Sequence, residues 1–281
     1  CNENGYFSEY ISDRYGFNNP DDEWDKDEIE YLVVGDSFGH GNCVNRPNDI
    51  SSVLRNISQK NVINLSYQGK GTLGYYASLR EYFPKGKVNK ILMIHYENDI
   101  NDLINEIKNN ILRNYITNLN FTQNLKKKQK PINDLNKKII ENAIKEKKKD
   151  TYIYNRFYLD QFIKLYAIRA ILHHNLKIKK SKDYSQFKEL MILTKKLAED
   201  NNAKLYFIIL DGYDRYKYDI VYNDNKIKKI INNLNIPLID MHEEIFKKEL
   251  NPLLFFPQQK KGHYTVEGYK AIAKKIYKLT N

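Results

Sequence analysis

Five short apolar runs, separated by long polar or amphipathic stretches, constrain the fold of this 281-residue chain more than any other feature. They occupy residues 31–34, 62–65, 91–94, 204–210 and 236–239. Short continuous runs of this kind are typical of strands that are buried on both faces of a parallel sheet. None approaches the ~20 apolar residues that a membrane-spanning helix requires. The sequence therefore predicts a five-stranded parallel sheet.

Helical patterns fill the sequence between these runs, near residues 50–57, 75–83, 225–234 and 265–279. Strands that alternate with helices form parallel sheets with right-handed crossovers, and the helices then cover both faces of the sheet. We therefore expect an α/β fold in which a central sheet lies between two helical layers.

Two segments lie outside this alternation. Residues 1–30 are polar and acidic and show neither regular period, which predicts an irregular N-terminal arm before a domain of residues 31–281. Residues 104–200 are rich in Lys and Asn and predict helices, so we expect a helical insertion that caps the domain. Its aromatic residues recur at helical spacing, and Tyr154, Phe157 and Tyr158 are expected to line an acyl or glycan pocket.

The formal net charge of +11 is concentrated in the middle third of the chain. The lysines there are interleaved with apolar positions and acidic residues, a pattern typical of solvated helical faces. We therefore expect no nucleic-acid partner. An anionic membrane surface or polymer is the other partner that such a charge would suit.

Two cysteines are too few for a disulfide-stapled scaffold, and no Cys/His spacing is of the zinc type. The adjacent His173 and His174 would diverge on a helix, so we predict no metal and no cofactor. Cys1 suits a lipid-bearing cysteine of a mature bacterial lipoprotein, and an arbitrary chain boundary explains it equally well. The first interpretation predicts an extracytoplasmic location, periplasmic or in the cell envelope, with peripheral or lipid-anchored membrane association.

Polar residues follow the predicted strands where ligands bind in parallel sheets, beyond the carboxyl ends of the strands. Ser37 follows the first strand, Gly69 the second and Asn98 the third, and His263 precedes the last helix. A serine needs a base to become nucleophilic, and a tetrahedral intermediate needs hydrogen-bond donors for its oxyanion. This set therefore indicates acyl transfer.

These segments resemble the sequence blocks of the SGNH, or GDSL, hydrolase superfamily. The matching blocks are residues 33–39 (VVGDSFG), 62–71 (VINLSYQGKG), 96–99 (YEND) and 262–269 (GHYTVEGY). The resemblance implies a flavodoxin-like sandwich, with Ser37 as nucleophile and oxyanion donor and His263 as base. It also implies that Gly69 and Asn98 donate to the oxyanion.

The chain departs from the family at the acid that orients the histidine. The family usually places an Asp two or three residues before the histidine, whereas this chain has Lys260 and Lys261 there. A neighbouring cation disfavours a protonated imidazole. Either Glu267 or Asp240 supplies the carboxylate, or the site works as a Ser-His pair, or it is impaired.

Simpler interpretations exist for each residue. Ser37 and Asn98 could be helix caps, and Gly69 could be a turn glycine. The other candidate histidines, at positions 40, 95 and 242, suit packing or solvent contact better than catalysis. The G-x-S-x-G pattern around Ser37 also fits α/β-hydrolases, but that turn follows an inner strand that comes after several others, whereas Ser37 follows the first.

The sequence therefore predicts a serine esterase or acyl hydrolase that acts on an ester-linked acyl group of a small molecule, lipid or glycan. The 13–20 segment and the 96–99 block resemble a branch tied to envelope polysaccharides, which keeps an O-acyltransferase as the alternative enzyme. The third hypothesis, motivated by Lys260 and Lys261, is a catalytically silent glycan-binding module on the same fold.

Overall fold

The central element of the fold is a parallel sheet of five strands in the order β2-β1-β3-β4-β5. The computed structural model describes residues 1–84, 86–147, 184–221 and 224–281. Its strands are β1 Glu28–Val34, β2 Val62–Asn64, β3 Lys87–His95, β4 Lys204–Ile209 and β5 Leu238–Asp240. This is the flavodoxin-like strand order. The predicted α/β class and the five-stranded parallel sheet are confirmed.

Helices follow each strand along the chain. They are α1 Ser37–His40, α2 Ile50–Ser58, α3 Thr72–Tyr82, α4 Asp99–Glu106, α5 Asn110–Thr117, α6 Gln129–Lys147, α7 Ser185–Asp200, α8 Tyr213–Tyr218, α9 Asp224–Asn233, α10 Met241–Glu244 and α11 Val266–Thr280. Short 3-10 turns lie at Asp21–Asp25, Leu125–Lys128, Phe246–Lys248, Pro252–Phe255 and Pro257–Gln259. None of the helices in the described ranges is both long and apolar enough to cross a membrane.

The sheet is buried by helices on both faces. Tyr31 and Val33 of β1 pack in one core cluster with apolar residues of α2 and α11. Leu32 and Val34 alternate with them along the strand, are also fully buried, and therefore face the other side. On that side α3 contacts β1, and α7 contacts both α3 and β4. Burying each such side chain contributes about 1.5–3 kcal/mol to folding.

The chain divides into two compact units, residues 1–123 with 184–281 and residues 124–183. Helices α4, α5 and α7 belong to the first unit, and Phe187, Leu190 and Met191 of α7 are fully buried. The second unit is therefore shorter than the predicted insertion of residues 104–200. The predicted pocket residues Tyr154, Phe157 and Tyr158, and the pair His173-His174, lie outside the described residues.

The arm before β1 is built mainly of side-chain contacts. The Asn19 side chain makes two hydrogen bonds with the backbone of Asn64 in β2: its Nδ2 donates to the carbonyl at 2.9 Å, and its Oδ1 accepts from the amide at 2.8 Å. This is the pairing that a neighbouring strand would make with this edge of the sheet. Asp13 accepts hydrogen bonds from Asn19 and from the Trp24 ring. Residues 13–19 are thereby fixed against the strand edge that leads into the site.

Candidate active site

Ser37 lies at the end of β1, where the chain turns into α1. The Asp36 side chain caps this short helix by accepting from the Phe38 amide at 2.8 Å. Ser37 is the first residue inside the helix, so the cap is Asp36 and the serine hydroxyl is left for another partner. The side chain is half-buried at the carboxyl edge of the sheet, between β1 and β3, where the strand order reverses.

His263 supplies that partner. Its Nε2 lies 2.9 Å from the Ser37 Oγ, although the two residues are 226 positions apart. The ring packs against Phe38, with 4.8 Å between centroids. Thr265 caps α11 by accepting from the Gly268 amide, which fixes the loop that carries the histidine. The hydroxyl and imidazole that the resemblance predicted to act together are thus within hydrogen-bond distance.

The carboxylate against the other ring nitrogen is that of Glu3, in the N-terminal arm. Both Glu3 carboxylate oxygens lie 3.2 Å from Nδ1 of His263, and Oε2 also accepts from the His263 backbone amide at 2.6 Å. With Nδ1–H donating to Glu3, Nε2 is free to accept the proton of Ser37. The three side chains therefore have the relative arrangement of a Ser-His-acid triad.

This carboxylate corrects the candidates named from the sequence. Asp240 instead pairs with Lys228 at 2.5 Å and accepts from the His242 amide at 3.0 Å. Glu267 is exposed in the first turn of α11. Neither makes a hydrogen bond or ion pair with His263 in the described parts of the chain.

The two lysines before the histidine have partners of their own. Lys261 forms a salt bridge with Asp214, and Lys260 donates to Gln258 at 3.4 Å. The positive charge of Lys261 is therefore directed at a carboxylate on α8 and is compensated there. The lysine next but one before His263 therefore pairs with an acid and not with the imidazole.

The two backbone N–H groups that the resemblance assigns to the oxyanion have no acceptor among the described residues. Neither the Ser37 amide nor the Gly69 amide donates a hydrogen bond to any residue within the described ranges. Gly69 has φ +74 and open space around its Cα, so glycine is required there by the backbone conformation. Free amides of this kind are what an oxyanion needs.

The loop that carries Gly69 is held by a residue that the sequence analysis did not identify. The Glu106 carboxylate, at the end of α4, accepts from the amides of Gly71, Leu73 and Gly74 at 2.7–3.1 Å. Glu106 thus accepts hydrogen bonds from backbone N–H groups at the start of α3, which have no partner within that helix. The two glycines allow this approach, because a Cβ at either would lie under 3 Å from its neighbours.

Asn98 follows β3 immediately before α4 but does not cap that helix with its side chain. Its Nδ2 donates to Asp102 at 2.5 Å, and its Oδ1 is buried without a partner among the described residues. A carboxamide nitrogen has two N–H bonds, so one remains for another acceptor. The helix-cap interpretation of this side chain is therefore not what the structure shows.

Burial raises the pKa of two acids next to Ser37 and Asn98. Desolvation, with a smaller effect of Asp99, raises the pKa of Asp36 to about 8. Desolvation also raises the pKa of Asp99 well above its usual value. Burial therefore disfavours a full negative charge on Asp36 beside the Ser37 amide.

A disulfide joins Cys1 to Cys43, with 5.1 Å between their Cα atoms. The Cys43 sulfur lies 3.3 Å from Nδ1 of His263. One ligand atom from each of Cys1, Glu3, Cys43 and His263 falls within 4.8 Å of the others, a grouping that could hold a metal ion. Cysteine binds metals as a thiolate, so the disulfide form lacks two of these four ligands.

A polar cavity of about 160 Å³ opens beside the site. Its walls are the turn after α1, the loop before Gly69 and the arm; among the lining residues are Ser8, Tyr10, Asn18, His40, Asn42, Tyr67 and Gln68. The Asn42 side chain donates to Gln68 at 3.0 Å, and the Asn42 amide donates to the Ser37 carbonyl at 3.0 Å. Several of its lining residues are near neighbours of Ser37 and Gly69 in sequence, and Cys43 of this lining touches the His263 ring.

Comparisons with known proteins locate the fold. No protein-family model and no curated protein matches this chain. A member of the lipolytic protein G-D-S-L family from Veillonella parvula DSM 2008 matches with a TM-score of 0.50 and 13% identity over 89% of this chain and 97% of that one. A Bacillus subtilis protein matches with a TM-score of 0.50 and 12% identity over 89% of this chain and 55% of that one. A G-D-S-L family protein of Desulfitobacterium hafniense DCB-2 matches with a TM-score of 0.46 and 14% identity over 90% of this chain and 99% of that one. The fold that the SGNH resemblance implied is thus confirmed.

Proposed function

We propose that this chain is a serine esterase in which Ser37 forms an acyl-enzyme and His263 is the general base and acid. The observation that carries the proposal is the 2.9 Å contact between the Ser37 hydroxyl and Nε2, with Glu3 on Nδ1. The unoccupied Ser37 and Gly69 amides support it, because acyl transfer needs donors as well as a nucleophile.

The mechanism follows from this geometry. Nε2 of His263 takes the hydroxyl proton as Oγ of Ser37 attacks the ester carbonyl carbon. The Ser37 and Gly69 amides and the second N–H of Asn98 stabilise the resulting oxyanion. The intermediate collapses as His263 returns the proton to the leaving alcohol oxygen. Water, activated by the same imidazole, then attacks the acyl-enzyme and releases the carboxylic acid.

The polar cavity favours a glycan over a lipid as the alcohol part of the substrate. Asn18 is buried and its Oδ1 has no hydrogen-bond partner in the described ranges. His40 is buried beside it with Nδ1 3.3 Å from the Ser66 carbonyl, and desolvation lowers its pKa, so it is neutral. A cavity lined by such polar side chains suits a ligand with many hydroxyl groups. The half-exposed rings of Tyr10 and Tyr67 provide flat walls for a sugar.

The disulfide supports an extracytoplasmic location. Disulfides persist in oxidising compartments such as the periplasm and the cell surface. We therefore place the enzyme there, acting on acylated material of a bacterial envelope. A sulfur in a disulfide cannot also carry a lipid, so this form of the protein would associate with the membrane peripherally rather than through Cys1.

Transfer of the acyl group to a sugar hydroxyl is the rival reaction, because the same acyl-enzyme precedes both. The silent binding module was motivated by the lack of an acid near His263, and Glu3 now occupies that position. Product analysis with an acetylated sugar in the presence of a second sugar separates hydrolysis from transfer. We expect free acetate as the main product.

Tyr67→Ala is expected to lower kcat/KM for an acetylated sugar about 10-fold relative to kcat/KM for 4-nitrophenyl acetate. The physical reason is the loss of one wall contact of about 1–1.5 kcal/mol that only the sugar makes. Steady-state kinetics on both esters measure the ratio. Tyr218→Ala, at another exposed tyrosine, is the matched control and should leave the ratio unchanged. An unchanged ratio in the Tyr67 variant would exclude this cavity as the sugar site.

A further inference from the structure

The segment that carries Glu3 is attached to the protein in an unusual way. None of residues 1–12 is buried, and the large apolar side chains of Phe7 and Ile11 are 75% and 81% exposed. Burial in the arm begins only at Asp13. The hydrophobic effect therefore does not hold residues 1–12 against the domain, and another interaction must keep the Glu3 carboxylate in the site.

Two kinds of contact do this. Hydrogen bonds and a ring contact are the first: Asn4 donates to the Cys43 carbonyl at 2.9 Å, the Glu9 amide donates to Asn45 at 2.8 Å, and the Tyr10 ring packs edge-on against His40. Each such bond contributes little net stability, whereas ordering the segment costs conformational entropy at every residue. The Cys1–Cys43 disulfide is the second, and it is covalent. It lies two residues from Glu3, and Cys43 itself touches the His263 ring.

We propose that Glu3 is the residue that positions the imidazole of His263, and that the Cys1–Cys43 disulfide is the tether that keeps it there. This inference rests on the proposed esterase function and adds a dependence on the redox state of two cysteines. A dithiol converts the disulfide to two thiols and is itself oxidised to a cyclic disulfide. The arm then keeps its non-covalent contacts, among them the Tyr10–His40 ring contact and the Glu3–His263 pair, but loses the covalent tether, and the carboxylate leaves Nδ1.

Loss of the Glu3 carboxylate from Nδ1 changes the chemistry of His263 alone. Without Glu3, the neutral imidazole is no longer held with its proton on Nδ1, and the imidazolium formed during attack loses its counter-charge. The Ser37 and Gly69 amides and the polar cavity are unaffected. The turnover number should therefore fall while the Michaelis constant stays nearly constant.

The test compares kcat and KM for 4-nitrophenyl acetate in the wild type, Glu3→Gln and Glu3→Asp, each before and after treatment with a dithiol. A chelator is present, so that the freed thiols, Glu3 and His263 do not take up a metal ion. Intact mass spectrometry follows the gain of two hydrogens on reduction. Circular dichroism checks that the fold is retained, and Glu199→Gln, at an exposed acid of α7, is the control.

We expect Glu3→Gln to lower kcat about 100-fold or more with KM within about 3-fold of the wild type, because removal of a triad acid costs up to about 10⁴-fold in kcat. Glu3→Asp should recover part of this loss, and Glu199→Gln should resemble the wild type. Reduction should lower the wild-type kcat to a similar extent and should not lower that of Glu3→Gln further.

Three results would overturn the inference. Wild-type kcat in Glu3→Gln would show that Glu3 does not position His263. An unchanged kcat after complete reduction, or an equal drop in Glu3→Gln and the wild type, would show that the disulfide is not the tether. A mass that does not change on reduction would show that the disulfide is absent. Loss of Ser37-dependent hydrolysis is a separate result, because it concerns the proposed function itself.

Discussion

Ser37→Ala is expected to lower kcat for 4-nitrophenyl acetate about 10⁴-fold or more, down to the residual rate that the oxyanion donors and substrate binding support. The hydroxyl is the atom that forms the acyl-enzyme, and alanine leaves His263 with no proton to accept. In serine hydrolases the loss of the nucleophile costs about 10⁶-fold in kcat, and the residual activity comes from the oxyanion donors and binding. Initial rates of 4-nitrophenol release at saturating substrate measure the effect.

The fold should survive this substitution. The Asp36 cap, rather than the serine side chain, satisfies the start of α1. Alanine therefore removes the contact with His263 and a long hydrogen bond to Asp36 at 3.5 Å, and the cap itself stays. Ser58→Ala, at a half-buried serine in α2, is the matched control and should retain full activity. If the Ser37 variant keeps more than about a tenth of the wild-type kcat, a direct role as nucleophile is contradicted, given the losses expected for a nucleophile.

His263→Ala is expected to lower kcat about 10³-fold or more, the loss expected for a general base that acts in both half-reactions. Its side chain is 21% exposed, so the space it leaves is open to small molecules from solvent. Added imidazole should therefore restore part of the activity in a concentration-dependent way. Rates with and without imidazole provide the measurement.

The control for this variant is closely matched. His242 has a side-chain exposure of 19% and also lies near carboxylates, Asp211 and Glu243. His242→Ala should keep its activity and should gain nothing from imidazole. If both histidine variants lose activity equally, the effect comes from packing or stability and not from the chemistry of residue 263.

The sheet could be predicted from the sequence because its strands are buried on both faces. Residues such as Leu32, Val33, Leu92 and Ile208 are fully buried, and burial on both faces leaves no polar position to interrupt the apolar run. The ends of the strands could be predicted less well than their centres. Strand β1 begins at Glu28, before the apolar run, and pairs there with Lys87. Backbone pairing extends beyond the residues whose burial makes a strand visible in sequence.

The Ser37-His263 pair could be predicted for a related reason. The carboxyl ends of parallel strands meet at one edge, so a residue that follows β1 and a residue that precedes α11 converge there regardless of their separation in sequence. The family resemblance added the identity of the residues, and the geometry of the pair agrees with it.

Glu3 could not be predicted because no periodic element carries it. Glu267 and Asp240 are the carboxylates that sequence makes candidates, because one lies near His263 along the chain and the other at a strand end. The actual partner comes from the irregular arm, 260 residues away. The available signal was the presence of Cys1 and Cys43, since a bond between them brings the start of the chain to the turn after Ser37. Glu106 was missed likewise, because its function depends on three backbone amides of another helix.

Labelling with a fluorophosphonate tests the central claim most directly. The reagent phosphonylates a serine only where a base takes its proton and the oxyanion donors are in place, and peptide mapping by mass spectrometry identifies the modified residue. We predict stoichiometric modification of Ser37 in the wild type, none in Ser37→Ala, and strongly slowed modification in His263→Ala. Modification of a different serine, or no modification of the folded wild-type protein, would contradict the account of this site as that of a serine esterase.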